Sequence, residues 1–222
     1  MTGTGTNMRL CMDNIIFSLQ RAGGISVYWS ELWRRLLRDG ASVTGIEAKN
    51  AGGNLFRNAL HIPAEQLLLD TRPVQLGRYL SAHPVTGRYT LFHSSYYRTA
   101  SVREMKCVQT VHDFTYERYW RGPARWIHSA QKRRALRSAD GIICISENTQ
   151  RDLLEFFPEI PKERTRIIHQ GYSEVFQPLE QTSASQLIKA HVGFDLAFSV
   201  YVGDRSAYKN FKVAVDAVCQ LS

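Results

Sequence analysis

Polar side chains follow three short apolar segments of this chain, at positions that a ligand could reach. His93 ends the segment LFH, His112 and Asp113 follow KCVQTV, and Ser146 and Asn148 follow GIIC. In an open parallel α/β sheet, the carboxyl ends of the strands share one edge, which is where ligands bind. One histidine at a strand end is usually a structural residue, but three polar strand ends are hard to explain by packing. An imidazole followed by a carboxylate also suits hydrogen bonding to a hydroxyl group.

Two adjacent glycines, Gly23 and Gly24, stand just before a predicted helix that runs from about Ile25 to Arg38. Glycine at such a turn lets the backbone approach an anion, and the helix N-terminus offers unpaired N–H groups to it. The glycine pair is a weak signal by itself, since many strand-to-helix turns contain glycine. The dinucleotide fingerprint GxGxxG is absent from this turn, which argues against an NAD enzyme.

A basic loop near the end of the chain, GDRSAYKN, contains Arg205 and Lys209. It leaves the apolar segment FSVYVG, predicted to be a buried strand, and enters a predicted helix, KNFKVAVDAVCQL. Two cations at this place can stabilise a diphosphate leaving group, whose charge grows as its bond to a sugar breaks. A basic surface turn is the alternative for this loop taken alone.

Apolar strand candidates alternate with helix candidates along most of the chain, a pattern typical of a parallel α/β sheet with helices on both faces. The predicted strands lie in MRLCMDNIIF, SVTGIEA, TLFH, KCVQTV, GIICIS and TRIIHQ. We predict a Rossmann-like N-terminal domain over residues 1–179. Residues 180–222 are predicted to be a linker and the first strand–helix unit of a second domain. One strand and one helix cannot cover both faces of a parallel strand, so we expect this second domain to be truncated.

The composition is that of an ordinary soluble globular protein, with 44% hydrophobic and 22% charged residues in a chain of 222. The sequence has neither a run of 18 apolar residues nor the pattern of a signal peptide, so we expect a cytoplasmic protein. Its four cysteines form no CxxC or Cys/His cluster, which indicates reduced, buried thiols and no cysteine metal site.

The formal net charge of +8 indicates an anionic partner. The charge is concentrated in residues 118–137, which contain seven arginines or lysines and no acid. A solvated helix face is the alternative. Trp120 and Trp126 interleave with these basic residues, and the three-residue cluster Lys132–Arg134 follows them. Aromatic and basic residues together are typical of membrane surfaces, so we predict peripheral contact with an acidic membrane.

Five segments, taken in order, resemble family-4 retaining glycosyltransferases of the GT-B fold. They are SLQRAGGISVYWSELWRRLLRDG, TVHDFTYERY, ALRSADGIICISENTQRDL, RIIHQGYSEVF and YVGDRSAYKNF. The resemblance implies two Rossmann-like domains that face each other across a cleft. It implies retaining transfer of a hexose from a GDP- or UDP-linked donor to a glycan or lipid-linked acceptor, without a metal. The acceptor is then bound chiefly by the N-terminal domain and the donor chiefly by the C-terminal domain.

The resemblance also implies roles for individual residues. Gly23 and Gly24 match glycines near the donor phosphates, and His112 matches a cleft histidine that contacts the transferred sugar. Arg205 and Lys209 match the pair that grips the donor diphosphate. The remaining residues match positions in the donor or acceptor site with less fixed roles: His93, Asp113, Ser146 and Asn148. The family's later acidic motif does not occur before Ser222, so we expect this chain to be inactive by itself.

Two other functional classes stay open at this point. One is a non-enzymatic module that binds an anionic partner through residues 118–137. Nucleic-acid binding by such a module would weaken steeply with salt, unlike binding in a sugar-nucleotide pocket, and we expect no nucleic-acid partner. The other is a different GT-B enzyme, such as a sugar-nucleotide epimerase, which the segments LFHSSYY and TVHDFTYERY disfavour. The reading frame downstream of Ser222 would show whether the chain is a fragment.

Overall fold

The computed structural model describes residues 8–85, 88–102, 104–173, 176–178, 180–193, 200–203, 205 and 207–221. The chain divides into two compact units, Met1–Gln170 and Gly171–Ser222. The domain boundary predicted after residue 179 therefore falls inside the second unit.

A parallel seven-stranded sheet forms the centre of the first unit. Its strands are β1 (Leu10–Asp13), β2 (Val43–Ala48), β3 (Leu67–Asp70), β4 (Leu91–Ser94), β5 (Lys106–Val111), β6 (Gly141–Cys144) and β7 (Thr165–Ile167). Their spatial order is β3-β2-β1-β4-β5-β6-β7, and every neighbouring pair is parallel. The predicted parallel Rossmann-like α/β fold is thus confirmed. All strands end at one side of the sheet, which we call the carboxyl edge.

Helices lie in most of the connections between these strands. They are α1 (Ile16–Leu19), α2 (Gly24–Arg38), α3 (Leu55–Asn58), α4 (Val74–Gly77), α5 (Thr115–Tyr119), α6 (Pro123–Ser138) and α7 (Glu147–Phe156). Single 3-10 turns lie at Ala51–Gly53, Ala64–Gln66 and Lys162–Arg164. Ser146 caps α7, because its Oγ accepts a hydrogen bond from the backbone N–H of Thr149 at 3.1 Å.

Two buried tryptophans hold α2 against the sheet. Nε1 of Trp29 and Nε1 of Trp33 each lie 2.7 Å from Oδ1 of Asn14, which directly follows β1. Residues four apart share one face of a helix, so both indoles can reach the same acceptor. Nδ2 of Asn14 donates in turn to Oε1 of Glu47 in β2 at 2.9 Å. One buried amide therefore fixes the helix that follows the Gly23-Gly24 turn.

The second unit contains α8 (Gln181–Val192), a 3-10 turn at Ala207–Lys209 and α9 (Phe211–Leu221). The predicted strand FSVYVG lies partly outside the described residues. Its described part, residues 200–203, is not a strand, and Val200 and Val202 are 71% and 90% exposed. The prediction of a buried strand is wrong for these residues. A strand needs a neighbour for its backbone hydrogen bonds, and the described residues of this unit include no other strand.

Candidate functional site

The structure brings three of the predicted strand ends side by side. β4, β5 and β6 are consecutive in the sheet. His93 of β4 pairs with Val108 of β5, and Val111 of β5 pairs with Cys144 of β6. His112 directly follows β5, and Ser146 comes two residues after β6. Because the strands are parallel, His93, His112 and Ser146 all lie at the carboxyl edge.

His112 is the half-buried residue on which contacts from several elements converge. Its ring packs edge to face against Tyr28 of α2, with the centroids 5.2 Å apart. Its carbonyl oxygen accepts a hydrogen bond from Oγ1 of Thr149 at 3.4 Å, and its Nδ1 lies 3.3 Å from Nε2 of Gln170. Sequence reasoning named none of these three partners for His112. Only Tyr28 has a signal in the sequence, because it recurs at helical spacing with the apolar residues Ile25, Trp29, Leu32 and Leu36.

The electrostatic surroundings keep the imidazole of His112 uncharged at neutral pH. Burial lowers the pKa of His112 to about 4; the carboxylate of Asp113 opposes this effect and the ammonium of Lys132 adds to it. A neutral imidazole has one donor and one acceptor nitrogen, so it can hydrogen-bond a hydroxyl group in either direction.

His93 occupies a different kind of position. Its side chain is buried, Nε2 lies 2.9 Å from Oγ1 of Thr110, and the ring packs edge to face on Trp29 at a centroid distance of 4.9 Å. Burial, followed by the neighbouring His112, lowers the pKa of His93 to about 4. In this position His93 supports the carboxyl edge through contacts with protein groups.

Asp113 is exposed beside His112. Its Oδ1 accepts a hydrogen bond from the backbone N–H of Thr115 at 2.9 Å, at the start of α5. Its carbonyl oxygen accepts a second one from Nζ of Lys132 at 3.0 Å. The turn between β5 and α5 is therefore fixed by its own hydrogen bonds, which leave the outer side of the carboxylate in solvent.

The Gly23-Gly24 turn lies at the same edge, because α2 begins at Gly24 and its second turn carries Tyr28 to His112. A Cβ on Gly23 would lie 2.2 Å from Oε1 of Gln20, the far end of a flexible side chain that would have to move to admit it. A Cβ on Gly24 would meet no atom within 4 Å. Open space therefore adjoins Cα of Gly24, the first residue of α2.

An open groove of about 370 Å³ runs from His112 along the start of α7. Its lining includes Asp113, Asn148 and Arg151. Asn148 is exposed, and its Oδ1 accepts a hydrogen bond from the guanidinium of Arg151. The groove thus offers amide, carboxylate and guanidinium groups beside a neutral histidine.

Arg205 and Lys209 belong to the second unit and are both exposed. The guanidinium of Arg205 lies 4.9 Å from the ring centroid of Phe211, and Nζ of Lys209 lies 5.2 Å from that of Tyr208. Their proposed contact with a diphosphate stays a prediction.

Sequence reasoning missed a buried ionic cluster at the carboxyl edge. Arg98, which is 2% exposed, donates through Nη1 to Asp13 at 3.0 Å and through Nη2 to Asp70 at 2.8 Å. Burial raises the pKa of Asp13 in spite of this pairing, whereas hydrogen bonding to Arg72 holds the pKa of Asp70 below its usual range. The cluster ties the ends of β1 and β3 to the segment after β4. The members of the cluster are far apart in the chain, so no local sequence motif predicts their contacts.

Within the described ranges, no group of three or more His, Cys, Asp or Glu side chains is arranged to hold a metal ion. A membrane-spanning helix, long and apolar enough to cross a bilayer, is likewise absent from the part of the chain that the structure describes.

The family model for Glycosyltransferase Family 4 matches residues 22–174 of this chain. Two similar solved structures are crystal structures of HepE from Anabaena, and both share the fold of this chain. The complex of HepE with UDP-glucose superposes with a TM-score of 0.61 at 15% identity, covering 96% of this chain and 57% of that chain. The complex with UDP and glucose gives a TM-score of 0.62 at 15% identity, covering 97% and 58%.

No curated protein sequence is significantly similar to this chain. The chain spans less than two thirds of the length of HepE. The family model covers well over half of the 222 residues, including the α2 turn, both histidines and the groove at α7. The chain therefore belongs to Glycosyltransferase Family 4, with the Rossmann-like sheet of the GT-B fold.

Proposed function

We propose that this chain supplies the acceptor-side half of a glycosyltransferase that takes a hexose from a nucleotide-sugar donor and transfers it with retention. The observation that carries the proposal is the carboxyl edge itself. There a neutral His112, the open turn at Gly24 and the groove at α7 adjoin one another within the segment that matches the family. The fold neighbour HepE was crystallised with UDP-glucose, which supports a UDP-linked donor as the first to test. We also propose that the acceptor is a glycan or a lipid-linked sugar, which would place the enzyme in polysaccharide or glycoconjugate biosynthesis.

In this proposal each group has one task. His112 donates a hydrogen bond to a hydroxyl of the transferred sugar, and the N–H groups at the start of α2 face the donor phosphates. Arg205 and Lys209 stabilise the negative charge that develops on the leaving diphosphate, a task for which we propose no metal. The groove along α7 binds the acceptor glycan or lipid-linked sugar.

We expect this 222-residue chain by itself to bind donors weakly and to transfer no sugar. Arg205 and Lys209 are both exposed, and water screens exposed charges strongly. Ordering the loop that carries them would also oppose binding.

The experiment is a titration of the ¹⁵N-labelled chain with UDP-glucose and with a GDP-sugar, followed by NMR. We expect chemical-shift changes centred on His112 and Tyr28, lost in His112→Ala and retained in His61→Ala, an exposed histidine elsewhere. Donor-induced shifts that are absent at His112, or that persist in His112→Ala, would contradict the proposed site. Sugar transfer is assayed in parallel, with the product anomer read by NMR; transfer that Arg205→Ala abolishes would contradict the expected inactivity.

A second proposal concerns the membrane. Trp126, Ile127 and Tyr119 are 71%, 54% and 65% exposed around the start of α6, and Arg121 and Arg125 lie among them. Exposed aromatic and basic side chains together favour the interface of an acidic bilayer. We propose that this surface brings the groove near a lipid-linked acceptor.

The basic surface of residues 118–137 is smaller in the structure than the sequence indicates. Lys132 is buried with its Nζ 2.8 Å from Oε2 of Glu117, so it cannot meet a membrane. Arg118 pairs with Asp152 and Glu155, and Arg133 pairs with Glu159. Four arginines of the segment have no acidic partner among the described residues: Arg121, Arg125, Arg134 and Arg137.

Sedimentation with liposomes tests this surface. We expect binding to vesicles of acidic lipid, and a severalfold weaker binding for the double variant Arg125→Ala/Trp126→Ala. Arg166→Ala removes an equal charge from an exposed site on β7 and serves as the control. Equal binding to neutral vesicles, or no effect of the double variant, would contradict the proposal. Strong vesicle binding without any sugar binding would favour a non-enzymatic module instead.

A further inference from the structure

We propose that Gln170 is a positioning residue that holds His112 in the tautomer with its proton on Nε2. The use of that proton in sugar binding rests on the proposed function, but the tautomer itself does not. Gln170 is the last residue of the first unit and lies beyond the end of β7.

The assignment follows from the donor and acceptor chemistry of the two side chains. Nε2 of Gln170 lies 3.3 Å from Nδ1 of His112. An amide nitrogen can only donate a hydrogen bond, so Nδ1 must accept it. In a neutral imidazole the proton then resides on Nε2. No residue in the described ranges hydrogen-bonds Nε2 of His112, which leaves this N–H for a ligand.

Contacts from two further elements restrict the ring. Tyr28 of α2 packs edge to face against it, and Thr149 of α7 donates to the carbonyl oxygen of His112. Gln170 contacts the ring from the segment that follows β7. In the sheet, β7 is separated from β5 by β6. The ring plane is therefore set by Tyr28 and the backbone, and the position of the proton is set by Gln170.

The neutral state is a condition for this arrangement. Protonation would turn Nδ1 into a donor that faces the donor amide of Gln170. Burial lowers the pKa of His112 to about 4, so the ring is neutral at pH 7. The charged and titratable groups that act on it are Asp113, Lys132 and His93.

The amide of Gln170 could also be turned by 180°, which would place its oxygen against Nδ1 and require the other tautomer. Long-range ¹H–¹⁵N correlation spectra of the chain labelled at its histidines distinguish the two, because protonated and unprotonated ring nitrogens resonate far apart. The His112 signals are assigned by their loss in His112→Asn. We expect the Nε2–H pattern at pH 7 in the wild-type chain.

Three variants test the role of Gln170. Gln170→Glu offers only acceptors, so we expect His112 to change to the Nδ1–H tautomer or to become protonated, with a raised pKa. Gln170→Ala removes the donor and should give a mixture of both tautomers. Gln75→Glu adds the same charge at an exposed glutamine in α4 and should leave the His112 spectrum unchanged.

Two results would overturn the proposal: an Nδ1–H pattern in the wild-type chain, or a His112 spectrum that Gln170→Glu and Gln170→Ala leave unchanged. Circular dichroism identifies a variant that fails to fold, and the wild-type spectrum alone still decides the tautomer. Because the spectra need no ligand, an inactive chain leaves this test intact. Conversely, donor-induced shifts at His112 in a chain with the Nδ1–H pattern would support the proposed function and reject the role of Gln170.

Discussion

The rings of Tyr28 and His112 pack edge to face, with their centroids 5.2 Å apart and their planes at 78°. Tyr28 lies one turn into α2, the helix that begins at Gly24, and His112 follows β5. The contact therefore joins the glycine turn to the histidine across the carboxyl edge. The hydroxyl of Tyr28 lies 3.4 Å from Oγ1 of Thr110, which also contacts His93. The residues that support His112 can therefore be tested by mutation.

Thr110→Val removes the hydroxyl that His93 and Tyr28 share while keeping the shape of the side chain. Leaving the buried Nε2 of His93 without a partner should lower the free energy of unfolding by about 1–3 kcal/mol. Urea denaturation measures the loss. The control is Thr44→Val in β2, a half-buried threonine whose side chain makes no hydrogen bond to a described residue. An equal effect of both variants would contradict a special role for Thr110.

Asn14→Ala removes the single acceptor of two buried indole N–H groups. Each unpaired buried donor costs about 1–3 kcal/mol, so the variant, which leaves two of them, should lose at least about 2 kcal/mol of stability. Urea titrations followed by tryptophan fluorescence report both the stability and the environment of Trp29 and Trp33. Asn58→Ala, at an exposed asparagine in α3, should change the midpoint little. A loss below about 1 kcal/mol for Asn14→Ala would show that the indoles find other partners.

Arg98→Met leaves the buried carboxylate of Asp13 without its guanidinium partner, whereas the half-buried Asp70 keeps its pair with Arg72. Removing one partner of a buried ion pair costs about 3–5 kcal/mol, so the variant should be strongly destabilised. Arg34→Met breaks a pair with Glu31 in which Arg34 is 53% exposed, and such surface pairs contribute about 0–1 kcal/mol. Guanidinium unfolding compares the two variants. Similar midpoints would contradict the importance of the cluster at the carboxyl edge.

Glu117 should contribute to acid unfolding. Burial raises the pKa of Glu117, but interactions with His128, Lys132 and Ser129 outweigh this effect. The net result is a pKa lowered from 4.5 to about 2. A carboxyl whose pKa is lowered by folding contributes stability above its unfolded-state pKa and loses it as the pH falls through its folded-state pKa. The shift corresponds to about 3 kcal/mol, lost between about pH 4.5 and pH 2.

Urea unfolding at a series of pH values measures this loss. Glu117→Gln should be less stable at pH 7, because Lys132 is left buried without its carboxylate. Its stability should also fall less steeply below pH 4.5. A curve parallel to that of the wild type would mean that other carboxyl groups cause the acid unfolding.

The sequence by itself determined the fold class and the edge at which the candidate residues lie. Apolar segments alternating with amphipathic helices leave few arrangements other than a parallel sheet, and parallel strands bring their carboxyl ends together. The positions of His112, Ser146 and Gly24 at one edge follow from this local pattern. The edge strand β3, which is only partly buried, was not among the predicted strands because its apolar signal is short.

Only the tertiary structure decided which groups face solvent and which face one another. Lys132 reads as part of a basic surface in the sequence, yet it is buried because Glu117 and Phe114 meet it there. Val202 reads as part of a buried strand, yet it is exposed. Asn14 carries no local signal for its contacts with Trp29 and Trp33. The physical reason is the same in each case: local spacing sets helix faces and strand directions, whereas burial and charge pairing depend on residues far away in the chain.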